Sequence, residues 1–458
     1  ERAETERIEA YVDSAPAMIR FLLERTRADF VSLTKYPDYY PEAPGGRPGG
    51  RTLEPKPYRG LKLGAEFDRL QPSHPQETVL GRYAITAAES HDLVAGAWGV
   101  AARRMLAYHL DVRARLRGRR DGRLTLGNAL IGRLRHSLMD RGVPILLGHS
   151  VRSLVQEGDE VVGVQAKPVG DDDEVFVRAR RGVLLAAGGF PRNPAWRKRH
   201  LPAPSDAAWS AATPRNTGDA IAMAQEVGAA VALMDDAWWT PVTRLPGKDY
   251  AWILVVEKSL PGSILVDSTG RRFVNESAPY IDIVRGIYGT HGQERAAVPA
   301  WLVFDGRYRH RYPCGPLPPG RFRSDAQLPA KYRERFMNRA DSLRELASTI
   351  GVDPAGLLAT VERFNAQAEA GKDEDFGRGD SLSDRYYSDL SVTPNPCLAP
   401  LTRPPFYAIA VYPGDLGTKG GIVTDAHARV LREDRTPILG LYAFGNCSAS
   451  VMGPTYPG

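Results

Sequence analysis

Three segments of this sequence present tyrosines beside turn-forming residues, and one of them raises the question whether its tyrosine packs or does chemistry. "RRFVNESAPYIDIVRGIY" (271–288) sets Tyr280 directly after Pro279 at the head of an apolar run, with Tyr288 eight residues on. "YPDYYPE" (36–42) gathers Tyr36, Tyr39 and Tyr40 in a Pro-rich loop, and "MGPTYPG" (452–458) holds Tyr456 among small residues. A phenol ionises near pH 10, so it donates a hydrogen bond or, with help from its surroundings, works as a base. Packing as an amphipathic aromatic is the commoner use, and locally Tyr280 reads either way. Proline is favoured in the first turn of a helix, so Pro279 marks where a Tyr280 helix begins.

Three further stretches suit a flat, polar ligand. "GVLLAAGGF" (182–190) is an apolar strand ending in two glycines, which let a ligand approach the backbone at Ala187 and Gly188 without a Cβ in the way. Ligands of open α/β sheets sit at such carboxyl ends, although a plain strand-turn fits the residues as well. In "ATPRNTGDAIAMAQEVGA" (212–229), Asn216 or Thr217 can cap a helix beginning near Gly218, with Asp219 in its first turn. In "GLYAFGNCSASVMGPTYPG" (440–458), a strand over Leu439–Phe444 ends at Gly445 and Asn446 and enters a loop of small residues, whose N–H groups can wrap a ligand.

The elements that position these stretches follow from periodicity. The amino-terminal residues read as a helix, a break around Ser14–Pro16, and a second helix to about Thr26; another helix spans about Ala95–Leu116. The pattern then gives a helix (Gly127–Arg141), a strand (Pro144–Leu147), a hairpin-like pair (Val151–Gln156 and Glu160–Lys167), a strand (Glu174–Arg178) and a buried strand (Gly182–Ala187). Helices alternating with buried strands point to an α/β fold built on a parallel sheet. From residue 191 to 408 the pattern mixes strands ("AWILVVE", "GSILVD", "AWLVFD") with helices ("SLRELASTI", "PAGLLATVERFNAQAEAG") and reads as an inserted α+β domain. Residues 1–190 and 409–458 then form the two parts of the first domain.

Composition removes several classes. The 458 residues are 43% hydrophobic and 25% charged, ordinary for a globular protein with a large core and two domains. No apolar run approaches the roughly 20 residues of a membrane span. The net charge of +6 and pI near 9.1 come from dispersed arginines interleaved with acids. The densest cluster, "RARLRGRRDGR" (113–123), lacks aromatic stacking residues and reads as a solvated helix end rather than a nucleic-acid site. Cys314, Cys397 and Cys447 are widely spaced, giving neither a zinc site nor a disulfide framework, which fits a cytoplasmic protein. No metal site is expected.

Taken in order, "RRGVLLAAGGF", "NTGDAIAMAQEVGA", "RRFVNESAPY", "WLVFD", "TVERFNAQAEAGKDEDFGRG", "PPFYAIAVYPGDLGTKGGIVTDAHARVL" and "ILGLYAFGNCSASVMGPTYPG" resemble successive signatures of the flavoprotein superfamily of fumarate reductases and 3-ketosteroid dehydrogenases. Nearly the whole chain takes part, and the 3-ketosteroid delta-1-dehydrogenases are most similar. The resemblance implies a Rossmann-like FAD-binding domain carrying an inserted catalytic domain, with FAD held non-covalently. It implies cofactor contacts at Val151, Ala187, Gly188, Asn216, Gly218, Asp219, Gly445 and Asn446. Such flavoproteins open on a strand, a Gly-x-Gly-x-x-Gly turn and a helix, and continue past "TYPG". Neither part is in this sequence, so the expectation is a fragment that binds FAD poorly.

The resemblance also gives the tyrosines roles. Fumarate reductases keep a proton-delivering arginine five residues after the Asn of "FVNE"; counted from Asn275, Tyr280 stands there. A phenolate suits removal of the proton from carbon 2 of a 3-ketosteroid while hydride leaves carbon 1 for the flavin. Tyr280 is the implied base, with Tyr288 its rival, and Tyr456 the implied donor to the 3-carbonyl. Tyr39, or next Tyr40, is implied to back the base. The expected partner is a hydrophobic ketone, the electron acceptor and oligomeric state staying open. An apolar substrate would suit peripheral contact with a membrane, though no amphipathic anchor is evident in the sequence. The alternatives are a desaturase of another cyclic ketone, a delta-4 steroid desaturase, a fumarate-reductase-like enzyme, or an inactive fragment.

Overall fold

Two six-stranded sheets dominate the computed structural model, which describes residues 2–455 apart from 95 and 171. In the first, Val183–Leu185 lies beside Pro437–Ala443, then Glu160–Pro168 and His149–Glu157; Arg429–Leu431 and Val175–Arg178 attach at the sides. Val183–Leu185 and Pro437–Ala443 run parallel, pairing Val183 with Leu441 and Leu185 with Ala443. Two segments more than two hundred residues apart therefore end side by side, at Ala187-Gly188 and Gly445-Asn446.

The second sheet runs Ala251–Ile253, Ala237–Arg244, Phe406–Thr418, Ala300–Phe304 and Ser263–Val266, with Asn338–Ala340 also on the long strand. Its period-2 alternation sorts side chains onto two cores. Leu265, Leu302 and Ile409 are register neighbours in one core; Ile264, Val303 and Ala408 are neighbours in the other, under the helices Leu343–Ile350 and Pro354–Ala370. Asp353 starts the longer helix by accepting from the Ala355 and Gly356 N–H groups at 3.1 and 3.0 Å.

The helix Tyr280–Thr290 joins the two halves. Ile283 and Ile287 belong to the core of the second sheet, whereas Ile281 and Val284 pack into the core of the first. All four are fully buried or nearly so. This amphipathic wedge fixes its own first residue, Tyr280.

Several local expectations change. Arg2–Arg25 is one helix with Pro16 inside it, where a break was expected; the bonds of a 24-residue helix outweigh the roughly 3 kcal/mol that an internal proline costs. The expected helix over 95–116 is two, Gly99–Leu110 and Val112–Arg117, because Asp111 ends the first and caps the second through the Ala114 N–H at 3.2 Å. Pro144–Leu147 is not a strand: among the described residues no neighbour pairs with it, and Ile145, Leu146 and Leu147 are exposed. The helix Asp219–Glu226 is preceded by Gly218 in the left-handed region (φ 89°), with no side-chain cap from Asn216 or Thr217. The Thr217 hydroxyl donates to Asp219 instead, at 2.8 Å.

Candidate active site

Tyr280 is held by the turn that precedes it. In Asn275–Pro279, the Asn275 side chain accepts from the Ser277 N–H at 2.8 Å and donates to Asp384 at 2.9 Å. Below the turn lies a fully buried ionic cluster. Arg272 bonds Glu276 at 2.7 Å and Asp373 at 2.8 Å. Arg378, with no exposed surface, reaches Glu276 at 3.2 Å and the Ser263 and Leu260 carbonyls at 2.6 and 2.9 Å. Burial pushes the Glu276 carboxyl up, but the two guanidiniums outweigh it and hold the group below the ordinary carboxylate range.

Lys258 completes the support. Its ammonium donates to the Ala278 and Glu276 carbonyls at 2.9 and 3.1 Å, and it lies 5.5 Å from the centre of the Tyr280 ring. Burial brings its pKa down to about 7, against the opposing pull of Asp384. The lysine thus carries a labile charge directly behind the phenol.

Tyrosines line the space in front. A cavity of about 330 Å³, counted to its open mouth, is bounded by Tyr36, Tyr39, Tyr280, Tyr386 and Tyr387, with Lys258 its one charged lining residue. The Tyr39 and Tyr280 rings meet edge to face with centroids 5.6 Å apart. Tyr387 packs edge to face against Tyr36 and Tyr386, with ring centroids 6.4 and 4.7 Å away, and burial raises its pKa well above that of a free phenol. Tyr40 does not line this cavity: its hydroxyl donates to Asp282 at 3.0 Å, on the solvent side. Tyr288 is also elsewhere, donating to the Pro204 carbonyl at 3.2 Å and packed on Trp239. Tyr456 lies outside the described residues. The loop leading to it is tied to the wedge helix by Arg285, which donates to the Pro454 carbonyl at 2.6 Å, and to the end of the strand Phe406–Thr418 by Lys419, which donates to that of Thr455 at 2.7 Å.

The carboxyl end of the first sheet forms a cradle. Gly188 (φ 76°) packs so closely on the Asn216 amide that a Cβ there would stand 2.7 Å from it. Gly445 (φ 68°) faces open space, and Ala187 and Val151 are exposed. The Asn446 side chain is steadied by the Trp238 indole N–H at 3.1 Å. Bare backbone, one fixed amide and the start of the Asp219 helix fit a flat ligand with polar edges and a phosphate-bearing tail.

The profile of the FAD binding domain family matches residues 1–458. The chain belongs to that family. This flavoprotein is 43% identical to a 3-oxosteroid 1-dehydrogenase of Mycobacterium tuberculosis, across 100% of the chain and 81% of that protein. It is 34% identical to a 4-oxocyclohexanecarboxylate 2-dehydrogenase of Sinomonas cyclohexanicum, across 100% of the chain and 76% of the relative. A crystal structure of 3-ketosteroid delta1-dehydrogenase from Sterolibacterium denitrificans, in complex with 1,4-androstadiene-3,17-dione, superposes with a TM-score of 0.95 at 44% identity, covering 99% of this chain and 82% of that one. The chain has the α/β flavoenzyme fold, its cofactor is FAD, and it is an FAD-dependent oxidoreductase. Among the described residues no helix is long and apolar enough to cross a membrane.

Tyr386, Tyr387 and Lys258 were not singled out in the sequence. "SDRYYSDL" has no periodicity that turns an aromatic pair inward. For Lys258 a signal existed: in "ILVVEKSLPGSILV" a lone lysine pair-mate of Glu257 sits in an otherwise apolar run, a pattern that favours burial.

Proposed function

We propose that this flavoprotein desaturates a 3-ketosteroid between carbons 1 and 2, with Tyr280 removing the proton from carbon 2. The observation that carries the reading is the placement of Tyr280: first residue of a wedged helix, facing a tyrosine-lined cavity, its ring edge to face with Tyr39. A phenolate at that point is stabilised by the nearby Lys258 charge, which makes the phenol a stronger acid than it would be alone. Tyr387 and Tyr39 are the residues that back it. Tyr456 donates to the 3-carbonyl, where negative charge develops as the proton leaves.

Val151, Ala187, Gly188, Asn216, Gly218, Asp219, Gly445 and Asn446 would hold FAD at the cradle. When bound, FAD supplies the acceptor for the hydride leaving carbon 1. The apolar substrate and three buried free thiols favour a cytoplasmic enzyme in contact with lipid, where such ketones collect.

In the holoenzyme, Tyr280→Phe is expected to lower turnover at least about 100-fold with flavin content unchanged. Near-normal turnover would remove Tyr280 from the base role. A second reading, another cyclic ketone as substrate, is favoured by the lone lysine in the cavity, which could face a ring carboxylate. Anaerobic flavin bleaching by androst-4-ene-3,17-dione, but not by 4-oxocyclohexanecarboxylate, decides for the steroid.

A further inference from the structure

A second concave site lies beside the second sheet, apart from the chemistry derived above. The helix Gly306–Arg311, the loop over residues 320–325 and the segment over residues 403–405 border a cavity of about 610 Å³, with Tyr407 of the long strand in its wall. Small-molecule pockets run from about 300 to 1,000 Å³. This cavity shares no lining residue with the tyrosine cavity, and none of the cradle residues belongs to it.

Its walls are fixed by the backbone. One oxygen of Asp305 accepts from the Tyr308 N–H at 3.0 Å, and the other accepts from the Thr402 and Arg403 N–H groups at 3.2 and 3.0 Å. The Gly306 N–H donates to the Arg403 carbonyl at 2.7 Å, and the Gly320 N–H to that of Arg309, also at 2.7 Å. A Cβ on Gly306 or on Gly320 would stand 2.9 Å from a backbone oxygen, so both close approaches need glycine.

The lining is basic and only partly compensated. It holds Arg307, Arg309, His310, Arg311 and Arg403 against a single acid, Asp325. That carboxylate is occupied, accepting from Arg309 at 2.9 Å and from the Tyr407 hydroxyl at 2.7 Å. Arg309, which is buried, also donates to the Pro318 carbonyl at 2.8 Å. Arg311 is matched by Asp389 at 2.8 Å. Arg307 and Arg403 have neither an ion pair nor a side-chain hydrogen bond among the described residues. Arg307 is half-buried and stands one helical turn from Arg311, a spacing at which like charges repel.

A solvated basic patch would need no walls. Here Gly306, next to Arg307, is bonded to Arg403 itself, so the two uncompensated guanidiniums are held at one concave site. Guanidinium forks match the oxygens of phosphate and carboxylate through paired N–H bonds. A phosphate ester concentrates nearly two charges and three acceptor oxygens on one group, which suits two unpaired forks better than a carboxylate does. The cavity is larger than a bare phosphate requires and has room for an organic body.

We propose that this cavity binds a phosphorylated small molecule, its phosphate held by Arg307 and Arg403 beside the fixed Arg309. The assignment does not depend on which ketone the enzyme oxidises. The test is isothermal titration calorimetry of the holoenzyme, in which FAD already fills the cradle, with pyrophosphate as the probe and succinate as the comparison at constant ionic strength. Saturable binding of one pyrophosphate per chain is expected, at least about 10-fold tighter than succinate. Arg307→Gln/Arg403→Gln should weaken it at least about 10-fold, the loss expected when charge-assisted hydrogen bonds are removed. Melting temperature and ketone turnover should stay at the wild-type values. Arg113→Gln/Arg119→Gln, in the basic segment elsewhere, should bind pyrophosphate like the wild type. Absent or non-saturable binding, a preference for succinate, or binding that survives Arg307→Gln/Arg403→Gln would overturn the proposal. An equal loss in Arg113→Gln/Arg119→Gln would also overturn it, since the anion would then be reading net charge.

Discussion

A phenol that takes a proton from carbon needs a neighbour that stabilises its anion, and we assign that part to the Tyr387 hydroxyl, which lines the same cavity as the proposed base Tyr280. A hydrogen bond to a charged group is worth about 1.5–3 kcal/mol, which converts to roughly a tenfold or larger change in rate. Tyr387→Phe is therefore expected to lower turnover about 10-fold or more and to move the rising limb of the pH–rate profile to higher pH, with flavin retained. An unchanged profile would assign the backing hydroxyl to Tyr39, whose own Phe variant should be measured alongside. Tyr280, the proposed base, could be picked from the sequence because the family resemblance gave a count from Asn275. Tyr387 could not, because it arrives from a segment 107 residues away through a turn fixed by Asp384 and Asn275. Tyr40, adjacent in sequence to a cavity tyrosine, is turned at the bend over residues 39–40 toward Asp282 instead.

At the scale of elements, the segment before Tyr280 is as important as the helix after it. Arg378 ties the Glu276 carboxylate to three backbone carbonyls, so its loss would leave a buried charge with half its compensation. Arg378→Met should destabilise the protein by about 3–5 kcal/mol in urea unfolding. The pH dependence has a definite sign. Because the folded state holds Glu276 below its ordinary pKa, its contribution is present above roughly pH 4.5 and is lost as pH falls through the folded value. In Arg378→Met that loss should begin at higher pH. A shallow acid limb identical to the wild type would contradict this account of the cluster. The sequence showed the strands and helices that bury one alternating or one i, i+4 face. It misled where local pattern depends on a distant partner: "VPILL" has the composition of a strand, yet a strand exists only when another pairs with it.

Across the whole molecule, the cores are distributed over both sheets, and the three cysteines sample them. Cys314 belongs to the core of the second sheet and Cys447 to that of the first, while Cys397 lies buried against Asp384. Burial raises the pKa of all three thiols, that of Cys397 to about 11. Iodoacetamide at pH 8 should leave the native protein unlabelled and modify all three thiols in denaturant, read by intact mass; rapid native labelling would contradict the packing. Strands of both sheets were readable as apolar runs, but not the way one helix serves both. With Ile281 and Val284 in one core and Ile283 and Ile287 in the other, softening on either side frees the first turn of that helix. Enzyme inactivation on warming should then report the weaker half of the molecule, and stabilising only the stronger half would leave the working lifetime unchanged.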